Sequence, residues 1–276
     1  WFNVARGLRP LAALGGLVAG RDAGKLGTLD AGAAPAEVLP LVENLNRLFE
    51  RVAQLIGKER RFTADASHEL RTPLAALKTQ AQVALASSSD AERSHALENV
   101  ITGCDRAAHL VQQLLTLARL DPDELGSKAE VCDLQALAGK SVAELAPYAL
   151  SKNIEIDLAE GAAVETMGHA GLIAILLRNL IDNAIRYSPA GGSVHVRAAR
   201  DGQAATLTVI DQGPGIPADE RDKVGQRFYR VLGSEEYGSG LGLSIVKRIA
   251  ELHDASLSLE DGPQGKGLSV TARFAP

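Results

Sequence analysis

Apolar residues recur at alternating steps of three and four along the first half of the chain, as they do on one side of a helix. One series occupies residues 38–55 and a second occupies residues 70–84, which predicts a long helix with a narrow apolar seam. The two series are out of phase by one residue, so the helical register must change between them. Three serines followed by Asp90 end this helix and cap a second one, whose own seam covers residues 97–118.

Two helices joined by a short connection form an antiparallel hairpin. A single hairpin has too narrow a core to be stable alone, so we expect two chains to combine into a four-helix bundle and the protein to be a homodimer. The alternative is a hairpin that packs against the C-terminal half of its own chain.

The second half of the chain, after a polar segment at residues 121–126, mixes helical and strand patterns. Strands and helices that do not strictly alternate predict an α/β sandwich, in which helices cover one face of a single sheet. The predicted helices cover residues 134–151, 170–187 and 240–252, and the predicted strands cover residues 154–158, 193–199, 205–210, 256–260 and 268–274.

Composition and charge narrow the function classes. The 276 residues include 29 basic and 34 acidic side chains, a formal net charge of −5, within an ordinary globular composition. Binding to nucleic acid phosphates needs a basic face, so we expect no nucleic-acid partner. The two cysteines, Cys104 and Cys132, have neither metal nor redox spacing, and we expect both to be reduced thiols that fill core space.

The beginning of the chain resembles the point where a membrane helix enters the cytosol. No apolar run is long enough to cross a bilayer, but Trp1 and Phe2 are followed by Arg6 and Arg9, an order typical of a membrane exit. We therefore expect a segment from the cytoplasmic side of a membrane, with an anchor upstream of Trp1. An arbitrary chain end is the alternative.

His68 is the candidate nucleophile. Leu70 belongs to the apolar seam, so His68, two residues earlier and about 200° around the helix, faces solvent. Thr72 lies one turn beyond it on the same side, and Pro73 lacks the N–H that a helix interior needs. An exposed imidazole can attack through one nitrogen while Glu69 accepts the proton from the other. By itself, a single helical histidine is more often a plain surface residue.

A second candidate site begins on the helix predicted at residues 170–187. Asn179, Asn183 and, less closely, Arg186 share one face at spacings of four and three. Amide oxygens are suitable ligands for Mg²⁺, directly or through water, with phosphate oxygens completing the shell. Helix capping or core hydrogen bonding is the alternative role for these asparagines.

Asp211 directly follows an apolar strand and precedes Gly213 and Gly215. A carboxylate at the rim of a core can accept a hydrogen bond from the amino group of adenine, and the glycines let a base approach the backbone. A tight turn closed by the aspartate side chain is the alternative.

A glycine string, with Gly238, Gly240 and Gly242, opens the last predicted helix. Backbone N–H groups at a helix start bind phosphate oxygens, helped by the helix dipole. Because the string lacks a flanking βαβ unit and the lysine of a P-loop, we exclude both the Rossmann and the Walker interpretation.

Together these segments resemble the conserved boxes of bacterial sensor histidine kinases, in the family's order and at its spacing. The resemblance covers about residues 50–276, and within the family the chain is similar to the quorum-sensing and polymyxin-resistance subgroup. The matching segments are residues 62–74 for the H-box, 179–189 for the N-box, 211–217 for the G1 box, 227–230 for the F-box and 238–243 for the G2 box.

This resemblance implies an α+β protein with four parts. A HAMP-like helical linker is expected at residues 1–55, a dimerisation and phosphotransfer hairpin at 56–120, a linker at 121–130 and a Bergerat-type ATP-binding domain at 131–276. It also implies ATP-dependent autophosphorylation with Mg²⁺, and transfer to an aspartate of a response regulator. Response-regulator phosphatase activity and a place at the cytoplasmic face of the bacterial inner membrane are further implications.

The resemblance assigns roles residue by residue. His68 would be the phosphoacceptor, Glu69 its acid/base partner, and Thr72 the residue that positions water for dephosphorylation of the partner. Asn179 would ligate Mg²⁺, and Asn183 would serve the phosphates and the metal shell. The remaining implied nucleotide residues are Arg186 and Arg230 at the phosphates, Tyr187 beside the adenine, Asp211 at its amino group, and Gly213, Gly215, Gly238, Gly240, Leu241 and Gly242 around the pocket and its lid.

One position departs from the family pattern. Gly225 and Gln226 stand where the family usually has a phenylalanine and an acid, so an apolar anchor of the lid is missing. Two other functions are compatible with parts of the pattern: a non-histidine ATPase of the same superfamily, and a dimeric scaffold with an inactive nucleotide site.

Overall fold

The computed structural model describes residues 39–120, 129–231 and 238–275. Most of the expected HAMP-like linker, the chain start with its aromatic and basic residues, and the polar segment at residues 121–126 lie outside the described residues. In the described part of the chain, none of the helices combines the length and the apolar composition that a membrane span requires.

Two long helices come first, α1 over Leu39–Ala86 and α2 over Asp90–Arg119. The chain consists of two compact units, Trp1–Arg71 and Thr72–Pro276, whose boundary falls inside α1. In the first unit, the apolar seam is open to solvent in the single chain. Its leucines Leu41, Leu48 and Leu55 are 44%, 53% and 64% exposed.

The break between α1 and α2 lies at residues 87–89, as predicted. The Ser87 hydroxyl accepts a hydrogen bond from the Ser89 N–H and donates to the Glu92 carboxylate at 2.9 Å, while Arg93 pairs with Asp90 at 2.8 Å. Helices α1 and α2 pack closely against each other. A Cβ at Gly103 would lie 2.7 Å from Cδ2 of Leu77, and Ala84 and Ala96 are buried.

The rest of the second unit is an α/β sandwich. Its elements are β1 Glu130–Asp133, α3 Leu134–Ser151, β2 Glu155–Leu158, β3 Glu165–Gly168, α4 Ala170–Tyr187, β4 Ser193–Asp201, β5 Ala204–Ile210, α5 Gly242–Leu252, β6 Ser256–Asp261 and β7 Leu268–Phe274. The main sheet has five strands in the order β2-β4-β5-β7-β6, with β2 parallel to β4 and the other pairs antiparallel. A separate antiparallel pair joins β1 and β3.

The core lies between the helices and one face of the sheet. Burial alternates along β4 and β7, the pattern of a sheet that is covered on one side. Apolar side chains of α4 and α5 fill the space between these helices and the sheet. This confirms the predicted sandwich and the α+β fold class. The largest fully buried side chains are Leu134, Ile173, Leu176, Leu177, Ile181, Ile185, Leu207, Leu241, Ile245, Ile249 and Phe274.

Three details differ from the predictions. The short strands β1 and β3 were absent from the predicted set, because each has four residues and pairs only with the other. Helix α5 begins at Gly242 rather than at residue 240, since Gly240 has a left-handed φ of +68°. Cys132 is buried as expected, but Cys104 is exposed, so the prediction that both thiols fill core space is wrong for Cys104.

Candidate active site

Asp211 lies at the end of β5 and is only 8% exposed. Its Oδ1 accepts hydrogen bonds from the N–H of Gly213 at 2.8 Å and of Leu268 at 3.1 Å. Burial raises the pKa of the Asp211 carboxyl, and the two backbone hydrogen bonds lower it in part. Within the described residues Oδ2 has no hydrogen-bond partner, so the side chain presents a fixed acceptor.

This acceptor lines a cleft of about 320 Å³, near the small end of the range for ligand pockets. Apolar side chains such as Leu180, Val209 and Ile216 form much of its wall, and α4 and the start of α5 contribute its polar groups. Most of the predicted nucleotide residues therefore meet at one cavity: Asn183, Arg186, Tyr187, Asp211, Gly215, Arg230, Gly238, Gly240 and Gly242 line it, whereas Asn179, Gly213 and Leu241 lie outside its lining.

The two asparagines of α4 face the start of α5. A Cβ at Gly242 would lie 3.0 Å from Nδ2 of Asn183 and 3.5 Å from Oδ1 of Asn179, so glycine lets the two helices approach. The Asn179 amide donates to the Ile175 carbonyl at 2.8 Å, which leaves its oxygen as the atom turned toward Gly242. An amide oxygen is a hard ligand of the kind that Mg²⁺ takes, so the residues present fit this ion.

Gly267 and Gly240 have left-handed backbone and lie very close to other backbone atoms near the cleft. Gly267 has a φ of +77°, and a Cβ there would lie 1.8 Å from the Asp211 carbonyl oxygen. Gly240 has a φ of +68°, and a Cβ there would lie 2.6 Å from the carbonyl carbon of Phe228. The sequence interpretation included Gly240 but missed Gly267, although Gly265-Lys266-Gly267 stands directly before β7 as a turn signal.

Arg186 and Tyr187 meet the glycine string at Gly238. A Cβ at that glycine would lie 3.2 Å from the Tyr187 hydroxyl and 3.5 Å from Nη1 of Arg186. Nη2 of Arg186 pairs with Asp182 at 2.8 Å, and both side chains are largely buried. A guanidinium has five N–H donors, so Arg186 can hold Asp182 and still turn a donor toward the cleft. Arg230, also at the cleft, is exposed.

The side chain of Leu241 does not face the cleft, although the sequence predicts a nucleotide contact there. Its side chain is fully buried in the core, where it anchors the start of α5. Its backbone N–H donates to the Ser239 hydroxyl at 3.2 Å. Any contact with phosphate would therefore involve the backbone of Leu241.

At Gly225, where the family pattern has a phenylalanine, a side chain of α5 occupies the neighbouring space. A Cβ at Gly225 would lie 2.8 Å from Cδ of Lys247, so the aliphatic part of this lysine covers the position of the missing phenylalanine. The neighbouring Val224 is buried and lines the cleft.

One cleft residue comes from the hairpin and was missed by the sequence interpretation. Gln113 of α2 lines the cleft, and its Oε1 accepts a hydrogen bond from the Ser239 hydroxyl at 2.6 Å. A polar glutamine among the apolar residues of α2 is only a weak indication of a functional residue. Its place at the cleft becomes visible only through the contact with Ser239.

His68, Glu69 and Thr72 are all exposed on α1, so the predicted solvent exposure of the histidine is confirmed. The helix continues through Pro73. Because Pro73 cannot donate to the carbonyl of Glu69 four residues earlier, one helical hydrogen bond is missing next to the histidine.

Three domain families match parts of the chain. Residues 168–276 match the family described as histidine kinase-, DNA gyrase B-, and HSP90-like ATPase. Residues 58–123 match the His Kinase A (phospho-acceptor) domain. Residues 8–54 match the sensor protein PhoQ-like HAMP domain.

Similarity to curated proteins covers nearly the whole chain. Sensor protein kinase PmrB of Pseudomonas aeruginosa is 44% identical over 98% of this chain and 57% of the relative. Sensor protein QseC of Salmonella typhi is 45% identical over 98% of this chain and 59% of the relative. Sensor protein BasS of Escherichia coli K12 is 34% identical over 98% of this chain and 73% of the relative. The chain thus spans somewhat less than three fifths of the length of PmrB and QseC.

Proposed function

Because this chain belongs to the family of sensor histidine kinases, we propose that it is the kinase part of a two-component sensor. In this proposal it phosphorylates itself on His68 with ATP and then passes the phosphoryl group to an aspartate of a response regulator. The observation that carries the proposal is the cleft, where Asp211, Asn183 and the glycine-rich start of α5 meet, with Asn179 beside Gly242.

The cleft supports binding of ATP through contacts to the base, the phosphates and the metal ion. The Asp211 carboxylate is positioned to accept from the adenine amino group, and the apolar wall is suited to the ring. The N–H groups at the start of α5 are suited to phosphate oxygens. Asn179 and Asn183 would hold Mg²⁺, which when bound neutralises phosphate charge. Arg186 and Arg230 add positive charge at the same cleft.

The chemical step proposed for His68 is an in-line displacement. A ring nitrogen of the neutral imidazole forms a bond to the γ-phosphorus, the bond from that phosphorus to the β–γ bridging oxygen breaks, and ADP leaves. Glu69 accepts the proton from the other ring nitrogen. The exposed position of His68 supports this role, because a phosphoacceptor must reach both the nucleotide and the partner protein.

The hairpin supports the proposed homodimer. Its two helices leave a row of large apolar side chains open to solvent in the single chain, which a second hairpin would cover in a four-helix bundle. These side chains, between 41% and 64% exposed, are Leu74, Leu97, Ile101, Val111 and Leu115.

Two further parts of the proposal concern the partner and the location. Thr72, exposed one turn after His68, would position water for dephosphorylation of the response regulator. The match of residues 8–54 to a HAMP domain supports a full-length protein anchored at the cytoplasmic face of the bacterial inner membrane.

The test is incubation of the chain with γ-labelled ATP and Mg²⁺. Acid-labile, base-stable label is expected, because the phosphoramidate bond of phosphohistidine has that stability. Label with the stability of a phosphoester would contradict the proposal and favour a non-histidine kinase or ATPase. Bound ATP without transfer would favour a dimeric scaffold.

A further inference from the structure

The face of α2 that approaches the α/β sandwich carries a polar side chain aimed at the cleft. Gln113 is only 7% exposed, lines the cleft and accepts the Ser239 hydroxyl at 2.6 Å. These residues are 126 positions apart in the sequence, so the contact joins the hairpin to the glycine string.

Ser239 connects this contact to the start of α5. Its hydroxyl donates to Gln113 and accepts the N–H of Leu241 at 3.2 Å. That N–H is one of the free donors at a helix start that phosphate oxygens otherwise take. While Gln113 orients Ser239, the Leu241 donor is thus already occupied within the protein.

A second contact holds α2 in the same position. At the end of the helix, the Leu120 carbonyl accepts from Nε of Arg248 on α5 at 3.2 Å. One turn before Gln113, burial lowers the pKa of His109. Helix α2 thus contacts the glycine string through Gln113 and α5 through Leu120.

We propose that Gln113 is a positioning residue through which α2 controls the nucleotide site. Its hydrogen bond to Ser239 holds the start of α5 in an arrangement that competes with phosphate binding, so contact of α2 and binding of nucleotide oppose each other. This inference rests on the proposed function, since it assumes that the cleft binds ATP. It adds that the hairpin regulates that binding through a single polar contact.

The test compares Gln113→Ala with Gln112→Ala, a matched control on the same turn whose side chain is exposed. The affinity of each variant and of the unmodified chain for ADP with Mg²⁺ is measured by titration calorimetry. Loss of one neutral hydrogen bond should tighten binding by roughly two- to tenfold in Gln113→Ala, with Gln112→Ala unchanged. Equal affinities in the two variants, or weaker binding in Gln113→Ala, would overturn the inference.

A second comparison excludes a general packing effect. In a Ser239→Ala background the acceptor at residue 113 has no partner, so Gln113→Ala should then change affinity no further. An equal change in both backgrounds would overturn the inference. Gln113→Leu, which keeps most of the side-chain volume, replaces Gln113→Ala if the smaller residue unfolds the hairpin.

The two proposals fail in different ways. If the unmodified chain binds no ADP, the proposed function itself fails. If the chain binds ADP and takes label on histidine while Gln113→Ala matches Gln112→Ala, only the regulatory role of Gln113 fails.

Discussion

Asp211 and Leu268 are joined by a reciprocal pair of hydrogen bonds between neighbouring strands. The Asp211 N–H donates to the Leu268 carbonyl at 2.9 Å, and the Leu268 N–H donates to Oδ1 of Asp211 at 3.1 Å. One carboxylate oxygen thus closes the junction between β5 and β7, and the residue also lines the cleft. The same residue links the stability of this end of the β5–β7 pair to the proposed recognition of adenine.

The first prediction separates these two roles of Asp211. In Asp211→Asn, the amide oxygen can still accept from Leu268 and Gly213, so the fold should persist. An amide NH₂ cannot replace a carboxylate oxygen as acceptor for an adenine amino group, so ADP affinity should fall by about 100-fold. Asp219→Asn, on an exposed residue of the short 3₁₀ helix Ala218–Glu220, is the control and should bind ADP normally.

The raised pKa of Asp211 makes the free energy of unfolding depend on pH, and Asp211→Asn removes this dependence. The folded state holds this proton more tightly than the unfolded chain, so stability from this group is present at low pH and is lost as pH rises above the ordinary value of 3.8. At pH 7 the asparagine variant should therefore have an equal or higher free energy of unfolding. A clearly lower free energy of unfolding for Asp211→Asn at pH 7 would contradict a raised pKa of Asp211.

The second prediction concerns His253, at the end of α5. Its Nδ1–H donates to the Ile249 carbonyl at 2.8 Å, so Nε2 is the atom that accepts the His169 N–H at 3.0 Å. Burial lowers the pKa of His253 from its ordinary 6.5, and protonation would remove the acceptor. Since the unfolded chain binds this proton more readily, stability should fall as pH drops below about 6.5.

Urea unfolding at pH 7.5 and pH 5 measures this effect. The His253→Gln variant should show a smaller difference between the two pH values than the unmodified chain does. The exposed His95 gives the control, because His95→Gln should leave the difference unchanged. Identical pH dependence in both variants would show that His253 is not the responsible group.

The third prediction concerns Gly267. A Cβ there would overlap the Asp211 carbonyl oxygen in a left-handed backbone, so Gly267→Ala should reduce the free energy of unfolding by about 3 kcal/mol or more. Gly202 also has a positive φ, but the space around its Cβ position is open. Gly202→Ala should therefore cost only about 1 kcal/mol, and the difference between the variants in urea unfolding isolates the overlap.

The fourth prediction concerns the contact between Gly242 and the asparagines of α4. In Gly242→Ala the new Cβ would lie 3.0 Å from the Asn183 amide and would displace it, while α5 itself tolerates alanine. ADP affinity in the presence of Mg²⁺ should fall by about tenfold, because an interaction with the phosphates or the metal is disturbed. Gly171→Ala, at an open position on α4, should leave affinity unchanged.

The sequence allowed local structure to be predicted better than contacts. Helices α3 and α4 have the predicted ends, because their apolar periodicity and flanking residues agree. The strands β1 and β3 were missed, since Glu130–Asp133 has its two apolar residues side by side and shows no alternation of apolar and polar positions. Gly267 and Gln113 were missed because their roles depend on partners that are 56 or more residues away, Asp211 and Ser239.

Labelling of His68 decides whether this chain acts as a histidine kinase. The unmodified chain, His68→Gln and the control His95→Gln are incubated with γ-labelled ATP and Mg²⁺, and the label is tested for loss in acid and retention in base. We expect acid-labile label on the unmodified chain and on His95→Gln, and none on His68→Gln. Equal labelling of His68→Gln and the unmodified chain would contradict the assignment of His68 as the phosphoacceptor.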